Sequence, residues 1–91
     1  MKYTMDTRFS DEELRILESY GCEIVPEISF ARTDFAENEI PQRMIKYGST
    51  YIAEITDSES GESVWAVLSK WKGTWHSESY YDSLEALMRG I

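Results

Sequence analysis

The chain has 91 residues, of which 42% are hydrophobic and 13% aromatic, enough for one domain (1-91) with one apolar core. Seventeen Asp and Glu oppose nine Lys and Arg, so the formal net charge is −8. Such a charge repels nucleic-acid phosphates and anionic lipid, and it favours a protein partner with a basic surface. The sequence contains a single cysteine, no secretory signal and no apolar run near the ~20 residues of a membrane span, which predicts a cytoplasmic protein.

The first predicted element is a helix over residues 11–20. Ser10 and Glu13 have the spacing of a capping box, in which each side chain accepts a hydrogen bond from the other residue's backbone N–H. Acidic residues follow Ser10 directly, which suits the positive end of the helix dipole. Gly21 occupies the position where a left-handed residue ends many helices.

A second, short helix is predicted at the other end of the sequence. Asp82 is placed to cap it, with Glu85 closing a second capping box. Its apolar stripe consists of Leu84, Leu87 and Met88. Gly90 is expected to stop it.

Between the helices the hydrophobic period changes to two, which is typical of strands. Alternation from Cys22 to Phe30 predicts a strand that Pro26 either bends or places at a sheet edge. Residues 32–42 are interpreted as a loop. Further strands are expected from near Met44 to Ile55, over 64–71 and over 74–79, with turns at 57–61 and 72–73. The predicted fold class is α+β, an antiparallel sheet of three to four strands flanked by an N-terminal and a C-terminal helix (α-β-β-β-β-α).

The strand over 64–71 is apolar on both of its faces. Val64, Ala66 and Leu68 share one face, whereas the other carries Trp65 and Trp71, with Trp75 just past the turn. One interpretation is that the tryptophans form a contact surface, because Trp is enriched in interface hot spots. The other is that the two helices cover opposite faces and bury the rings. We expect Trp71 and Trp75, which flank a turn, to be partly exposed.

The acidic residues form two concentrations. Nine lie between Asp11 and Glu39, opposed only by Arg15 and Arg32. Glu54, Asp57, Glu59 and Glu62 form a second concentration around a turn, with no base among them. Either this surface is simply solvated or it docks on a basic groove, where spaced carboxylates occupy the places of phosphates. The predicted partner-binding residues are Glu37, Glu39, Asp57, Glu59, Glu62, Trp71 and Trp75.

No pattern in the sequence indicates a catalytic, metal or cofactor site. A nucleophilic pair would require Cys22 and His76 to meet in space, and nothing in the local sequence supports that. One Cys and one His are too few for a zinc site. The spacing in residues 57–62 does not fit a calcium loop. We therefore expect a protein that is not an enzyme and that uses no cofactor.

In size, acidity and lack of a catalytic motif the chain resembles small phage-encoded inhibitors of the anti-restriction and anti-CRISPR type. The resemblance is one of composition and implies a non-enzymatic inhibitor that blocks a basic nucleic-acid-binding surface of its partner, acting as a nucleic-acid mimic. An alternative is a nucleic-acid-binding sheet with stacking tryptophans, helped by Lys70 and Lys72. Phage integrase arm-binding domains are similar in element order, but their sheet is basic. A subunit of a larger assembly is a further alternative.

Overall fold

The structure, a computed structural model, describes residues 2–29 and 32–91. These residues form two helices, α1 (Asp11–Tyr20) and α2 (Leu84–Gly90). Their strands are β1 (Lys2–Thr4), β2 (Glu23–Ile24), β3 (Glu27–Ser29), β4 (Glu39–Tyr47), β5 (Thr50–Asp57), β6 (Ser63–Trp71) and β7 (Thr74–Tyr81). An antiparallel five-stranded sheet has the order β2-β4-β5-β6-β7, and β1 pairs with β3 in a separate two-stranded sheet. The predicted α+β class is confirmed, with more strands than the three to four expected.

Strands β4 to β7 form a meander connected by tight turns. Gly48 (φ 60°) lies in the turn between β4 and β5, so the single strand expected from Met44 to Ile55 is in fact a hairpin. Residues 39–42, expected in a loop, are the start of β4, where a register shift follows Pro41. The predicted turn after Asp57 and the strands on either side of Lys72 and Gly73 are confirmed.

Each face of the large sheet has its own core. One face packs against both helices through Leu17, Ile45, Ile52, Trp65, Leu84, Leu87 and Met88. The other is built from Met5, Met44, Ala53, Ile55, Ala66 and Leu68, with side chains of β1, β3 and the loop before β4 packed on it. The expectation that the helices take opposite faces is therefore wrong, because the β1–β3 sheet covers the second face.

Helix α1 begins and ends as its sequence predicts. The Ser10 hydroxyl accepts a hydrogen bond from the Glu13 backbone N–H at 3.1 Å, and the Glu13 carboxylate accepts one from the Ser10 N–H at 2.9 Å. Gly21 follows in the left-handed conformation (φ 70°), and its N–H donates to the Glu18 carbonyl at 3.2 Å. Local hydrogen bonding thus fixes both ends of the helix before any tertiary contact is considered.

The Ser10→Ala substitution should lower the free energy of unfolding by about 1 kcal/mol, because the Glu13 N–H loses its acceptor. Denaturant titration measures this loss. Ser19→Ala is the matched control, since Ser19 lies exposed inside α1 and caps nothing. Equal effects of the two substitutions would contradict the capping role of Ser10.

The ends of α2 differ from the expectation. Ser83, not Asp82, is its N-cap, and the Ser83 hydroxyl accepts a hydrogen bond from the Ala86 N–H at 3.1 Å. Glu85 pairs with Arg89 instead of closing a capping box. Gly90 is the last helical residue and does not follow the helix. It packs closely on Tyr81, because a Cβ there would lie 2.7 Å from the Tyr81 ring and would require that side chain to shift.

The strand expected from Cys22 to Phe30 is interrupted at Pro26. The part before Pro26, β2, is an edge strand of the large sheet, and the part after it, β3, joins the small sheet. Proline has no N–H for a ladder and leaves a strand pair only at an edge or a bend, as was predicted for this residue. Phe30 lies outside the described residues.

Candidate protein-binding site

Pairing of β4 with β5 brings the acidic residues of two separate segments to one end of the sheet. Glu39 is the register partner of Asp57. The Asn38 side-chain amide donates to the Asp57 carboxylate at 3.0 Å, and the Ser58 N–H donates to the Asn38 carbonyl at 2.8 Å. We call this region the acidic end; it comprises Glu37, Glu39, Asp57, Glu59 and Glu62.

Two adjoining concavities lie at the acidic end. The smaller one has a volume of about 190 Å³ and combines apolar and acidic side chains, being lined by Glu39, Ile55, Asp57, Ser60, Glu62 and Val64. The larger one, of about 360 Å³, includes Glu37 and Glu39 beside apolar residues of the loop before β4, of which Ile40 is 42% exposed. Because Glu39 lines both, the acidic end presents carboxylates around apolar surface. This arrangement suits a basic side chain with an aliphatic stem.

Among the described residues, no Lys or Arg forms an ion pair with a carboxylate of the acidic end. The segments that build it, residues 33–42 and 47–69, contain no Lys or Arg. The hydrogen bond from Asn38 and those from the Glu59 and Ser60 N–H groups hold the pKa of the Asp57 carboxyl below its usual value. Asp57 therefore stays ionised at neutral pH while it also orders its own turn.

Glu54 does not belong to the acidic end, contrary to its expected place in an unneutralised cluster. It is the cross-strand neighbour of Arg43, whose guanidinium lies 2.8 Å from the Glu54 carboxylate and 2.8 Å from that of Glu13. The guanidinium also lies 4.5 Å from the centre of the Phe9 ring and 5.4 Å from that of Trp65. These contacts tie the start of α1 to the sheet, so we assign Arg43 a structural role.

Trp71 and Trp75, which flank the turn between β6 and β7, point to opposite faces of the sheet. The two-residue turn pairs Trp71 with Thr74 and Lys70 with Trp75. Trp75 therefore shares the face of Leu68, where its ring meets Tyr51 edge-on at 5.5 Å. The expectation that Trp71 and Trp75 share one face is wrong, and both lie at the end of the sheet away from the acidic end. Both are partly exposed as predicted, Trp71 by 64%.

Basic side chains lie on both faces of the β6–β7 turn, Lys72 beside Trp71 and Lys70 beside Trp75. The Lys72 ammonium lies 4.7 Å from the centre of the Trp71 ring, and that of Lys70 lies 5.8 Å from the ring of Trp75. The Arg32 guanidinium approaches the Lys72 carbonyl at 3.5 Å. We call Arg32, Lys70, Trp71 and Lys72 the Trp71 tip. The sequence placed the two lysines beside Trp71, but only the fold adds Arg32.

Cys22 and His76 do not meet. Cys22 precedes β2 at one edge of the large sheet, and His76 lies in β7 at the other edge. Burial raises the pKa of the Cys22 thiol, and the His76 Nδ1 atom lies 3.5 Å from the Asp34 carboxylate. Within residues 2–29 and 32–91, no group of three His, Cys, Asp or Glu side chains is arranged to hold a metal ion.

No family model, characterised protein or solved structure matches this chain. In the described part of the chain, neither helix has the length and apolarity that a bilayer crossing requires.

Proposed function

We propose that this chain is a non-enzymatic protein-binding module whose acidic end docks on a basic surface of a partner. One observation supports it: the pairing of β4 with β5 brings two acidic segments together around a concave surface. The segments that build this surface contain no Lys or Arg. A field of one sign over a concave surface attracts the complementary charge and speeds encounter.

The sharper form of the proposal is an inhibitor of a nucleic-acid-binding protein. Carboxylates at the acidic end would occupy the places of backbone phosphates in the partner's groove and exclude the nucleic acid. The net charge of −8 supports this, because the chain itself repels nucleic acid while it attracts the protein that binds it.

Reversing charge at the acidic end should slow association with the partner. The partner is first captured from a native lysate with the tagged full chain and washed at rising salt. In Glu59→Lys/Glu62→Lys we expect an association rate constant at least ~10-fold lower in surface plasmon resonance, with a smaller change in dissociation. Raising the salt should slow association of the unmodified chain in the same way.

The control is Glu18→Lys/Glu23→Lys, which changes the net charge equally on α1 and β2, away from the acidic end. It should leave most of the association rate intact. Equal losses in the two variants would mean that only the net charge matters. A salt-insensitive rate with silent reversals would mean that the acidic end is merely solvated, and either result would overturn the proposal.

Nucleic acid tests the inhibitory form directly. In gel-shift titrations at physiological salt we expect the chain not to bind duplex or single-stranded DNA or RNA at submicromolar concentration. Added to the captured partner, it should release nucleic acid bound there. Submicromolar binding of the chain itself to either kind of strand would instead support the sheet with stacking tryptophans.

A further inference from the structure

The Trp71 tip presents an apolar side chain that the fold leaves uncovered. Trp71 is 64% exposed, more than any other large hydrophobic side chain in the described residues. It ends β6 at a two-residue turn in which Lys72 (φ 50°) and Gly73 (φ 80°) are both left-handed. The indole lies 6.4 Å from the ring of His76 in β7, and most of its surface remains in solvent. Trp is the residue type most enriched among binding hot spots, so this ring has the character of an anchor.

The turn that carries the anchor is rich in basic residues, although the whole chain is acidic and the Asp34 carboxylate lies near it, 3.5 Å from His76. Four bases elsewhere in the chain are paired with carboxylates: Lys2, Arg8, Arg43 and Arg89. In the described residues, none of Arg32, Lys70 and Lys72 forms an ion pair with a carboxylate. The tip therefore combines an exposed indole with one cation beside it, Lys72, and two more at the same turn, Lys70 on the opposite face and Arg32 near the Lys72 carbonyl. A complementary site is an apolar concavity that carries carboxylates.

We propose that the Trp71 tip docks at the acidic end of a second copy of this chain. The smaller concavity there offers the half-buried Val64 to the indole and Glu39, Asp57 and Glu62 to the cations of the tip. Charge and polarity are thus complementary between two surfaces of the same sequence. Docking would desolvate the indole, the kind of contact that lengthens the lifetime of a complex, while the charges mainly speed its formation.

The two surfaces cannot meet within one molecule. The β4–β5 and β6–β7 turns lie at one end of the sheet and the β5–β6 turn at the other. Nine residues of β6 separate them, a span of about 30 Å for an extended strand. The contact is consequently intermolecular and head-to-tail, so successive copies add until a ring closes or a filament grows.

The net charge does not prevent such contacts at physiological salt. The long dimension of the molecule is 31 Å, so the centres of two copies docked end to end lie several screening lengths of about 8 Å apart. Opposite charges at the contact are much closer than that. Local attraction is therefore screened less than the repulsion between whole molecules.

This inference rests on the proposed function, since the acidic end is taken as a docking surface in both. A second copy and the partner then compete for the acidic end. Self-association masks it, and a partner that binds it more tightly separates the copies.

Complementary variants test the inference by analytical ultracentrifugation of the full chain at physiological salt. The unmodified chain should associate reversibly, and the association should be lost near 1 M salt. One variant, Trp71→Ala/Lys72→Glu, removes the indole and reverses one charge at the tip. The other, Glu59→Lys/Glu62→Lys, reverses two charges at the acidic end. Each variant alone should stay monomeric. A 1:1 mixture should form a heterodimer and nothing larger, because one intact tip and one intact acidic end remain.

Three results would overturn the inference: an unmodified chain that stays monomeric at millimolar concentration, a mixture that stays monomeric, or either variant that still associates alone. If a single-stranded oligonucleotide binds the unmodified chain but not the tip variant while the chain stays monomeric, the occupant of the tip is nucleic acid instead.

Partner binding by the tip variant separates the two proposals. If it binds the captured partner with an unchanged association rate and the chain is monomeric, only the self-association fails. If the mixture forms heterodimers but acid reversal leaves partner binding intact, only the proposed function fails.

Discussion

Replacement of Arg43 by Met should lower the free energy of unfolding by about 3 kcal/mol, measured by urea titration. The Arg43 side chain is only 16% exposed, and its guanidinium holds the carboxylates of Glu13 and Glu54, which are 23% and 16% exposed. Without it, both carboxylates remain desolvated with no positive partner. Met fills much of the same volume, so the loss reports on charge more than on packing.

The contacts of Arg43 with Glu13 and Glu54 should also make the stability of the chain depend on pH. The hydrogen bond from Arg43 lowers the pKa of the Glu13 carboxyl in the folded chain. Because the folded value lies below the unfolded one, this stabilisation is complete above the unfolded pKa and is lost as pH falls through the folded pKa. The unmodified chain should therefore lose stability on acidification, and Arg43→Met should lose less over the same range.

The control is the triple variant Arg43→Met/Glu13→Gln/Glu54→Gln. In it, neutral amides replace both carboxylates, and the amide oxygen at position 13 can still accept a hydrogen bond from the Ser10 N–H. It should recover much of the stability that Arg43→Met loses. A loss below about 1 kcal/mol in Arg43→Met would instead class this cluster with ordinary surface ion pairs.

Trp65→Ala should cost about 3–5 kcal/mol, whereas Trp71→Ala should stay within about 0.5 kcal/mol of the unmodified chain. The two residues lie on the same face of β6, but Trp65 is 4% exposed and Trp71 is 64% exposed. The Trp65 ring stacks 6.4 Å from that of Phe9, beneath the guanidinium of Arg43. Its truncation leaves a cavity between α1 and the sheet.

The paired comparison is made by denaturant titration of both variants under one set of conditions. Trp71→Ala is the natural control, because it removes the same side chain from the same strand. Similar losses for the two variants would mean that Trp71 packs against the fold and is not available as an anchor. A small loss for Trp65→Ala would contradict the assignment of this residue to the core.

The sequence predicted those elements whose ends are set by neighbouring residues. Both ends of α1 follow from side-chain and backbone hydrogen bonds within a few positions of Ser10 and Gly21. The strand β6 follows from a run of β-branched and aromatic residues. The cap of α2 was misplaced by one residue because Asp82 and Ser83 are both good caps, and it is the Ser83 hydroxyl that accepts from the Ala86 N–H.

What escaped prediction depends on pairing between distant segments. Three-residue strands such as β1 and β3 carry almost no period of their own and exist because they pair with each other. Tyr47, Tyr51, Ala53 and Ile55 were interpreted as one alternating strand across Gly48, which hid the β4–β5 turn. The face of Trp75 depended on a turn of two residues, which aligns it with Lys70.

The acidic residues of the candidate site were predicted from the sequence, but their arrangement was not, because it depends on the pairing of β4 with β5. Composition identified its acidic residues but left them in two groups, and the register that places Glu39 opposite Asp57 unites them. The same register places Arg43 opposite Glu54 and so removes Glu54 from the site.

The topology also bears on the order in which the chain assembles. Neighbouring strands from β4 to β7 are joined by short turns, so closing them costs little chain entropy, and α2 follows β7 directly. In contrast, β1 must reach past α1 to find β3, and α1 has no sheet to pack on until the meander exists. During synthesis the first third of the chain therefore emerges without its template. We expect it to dock last, onto a meander made of residues translated after it.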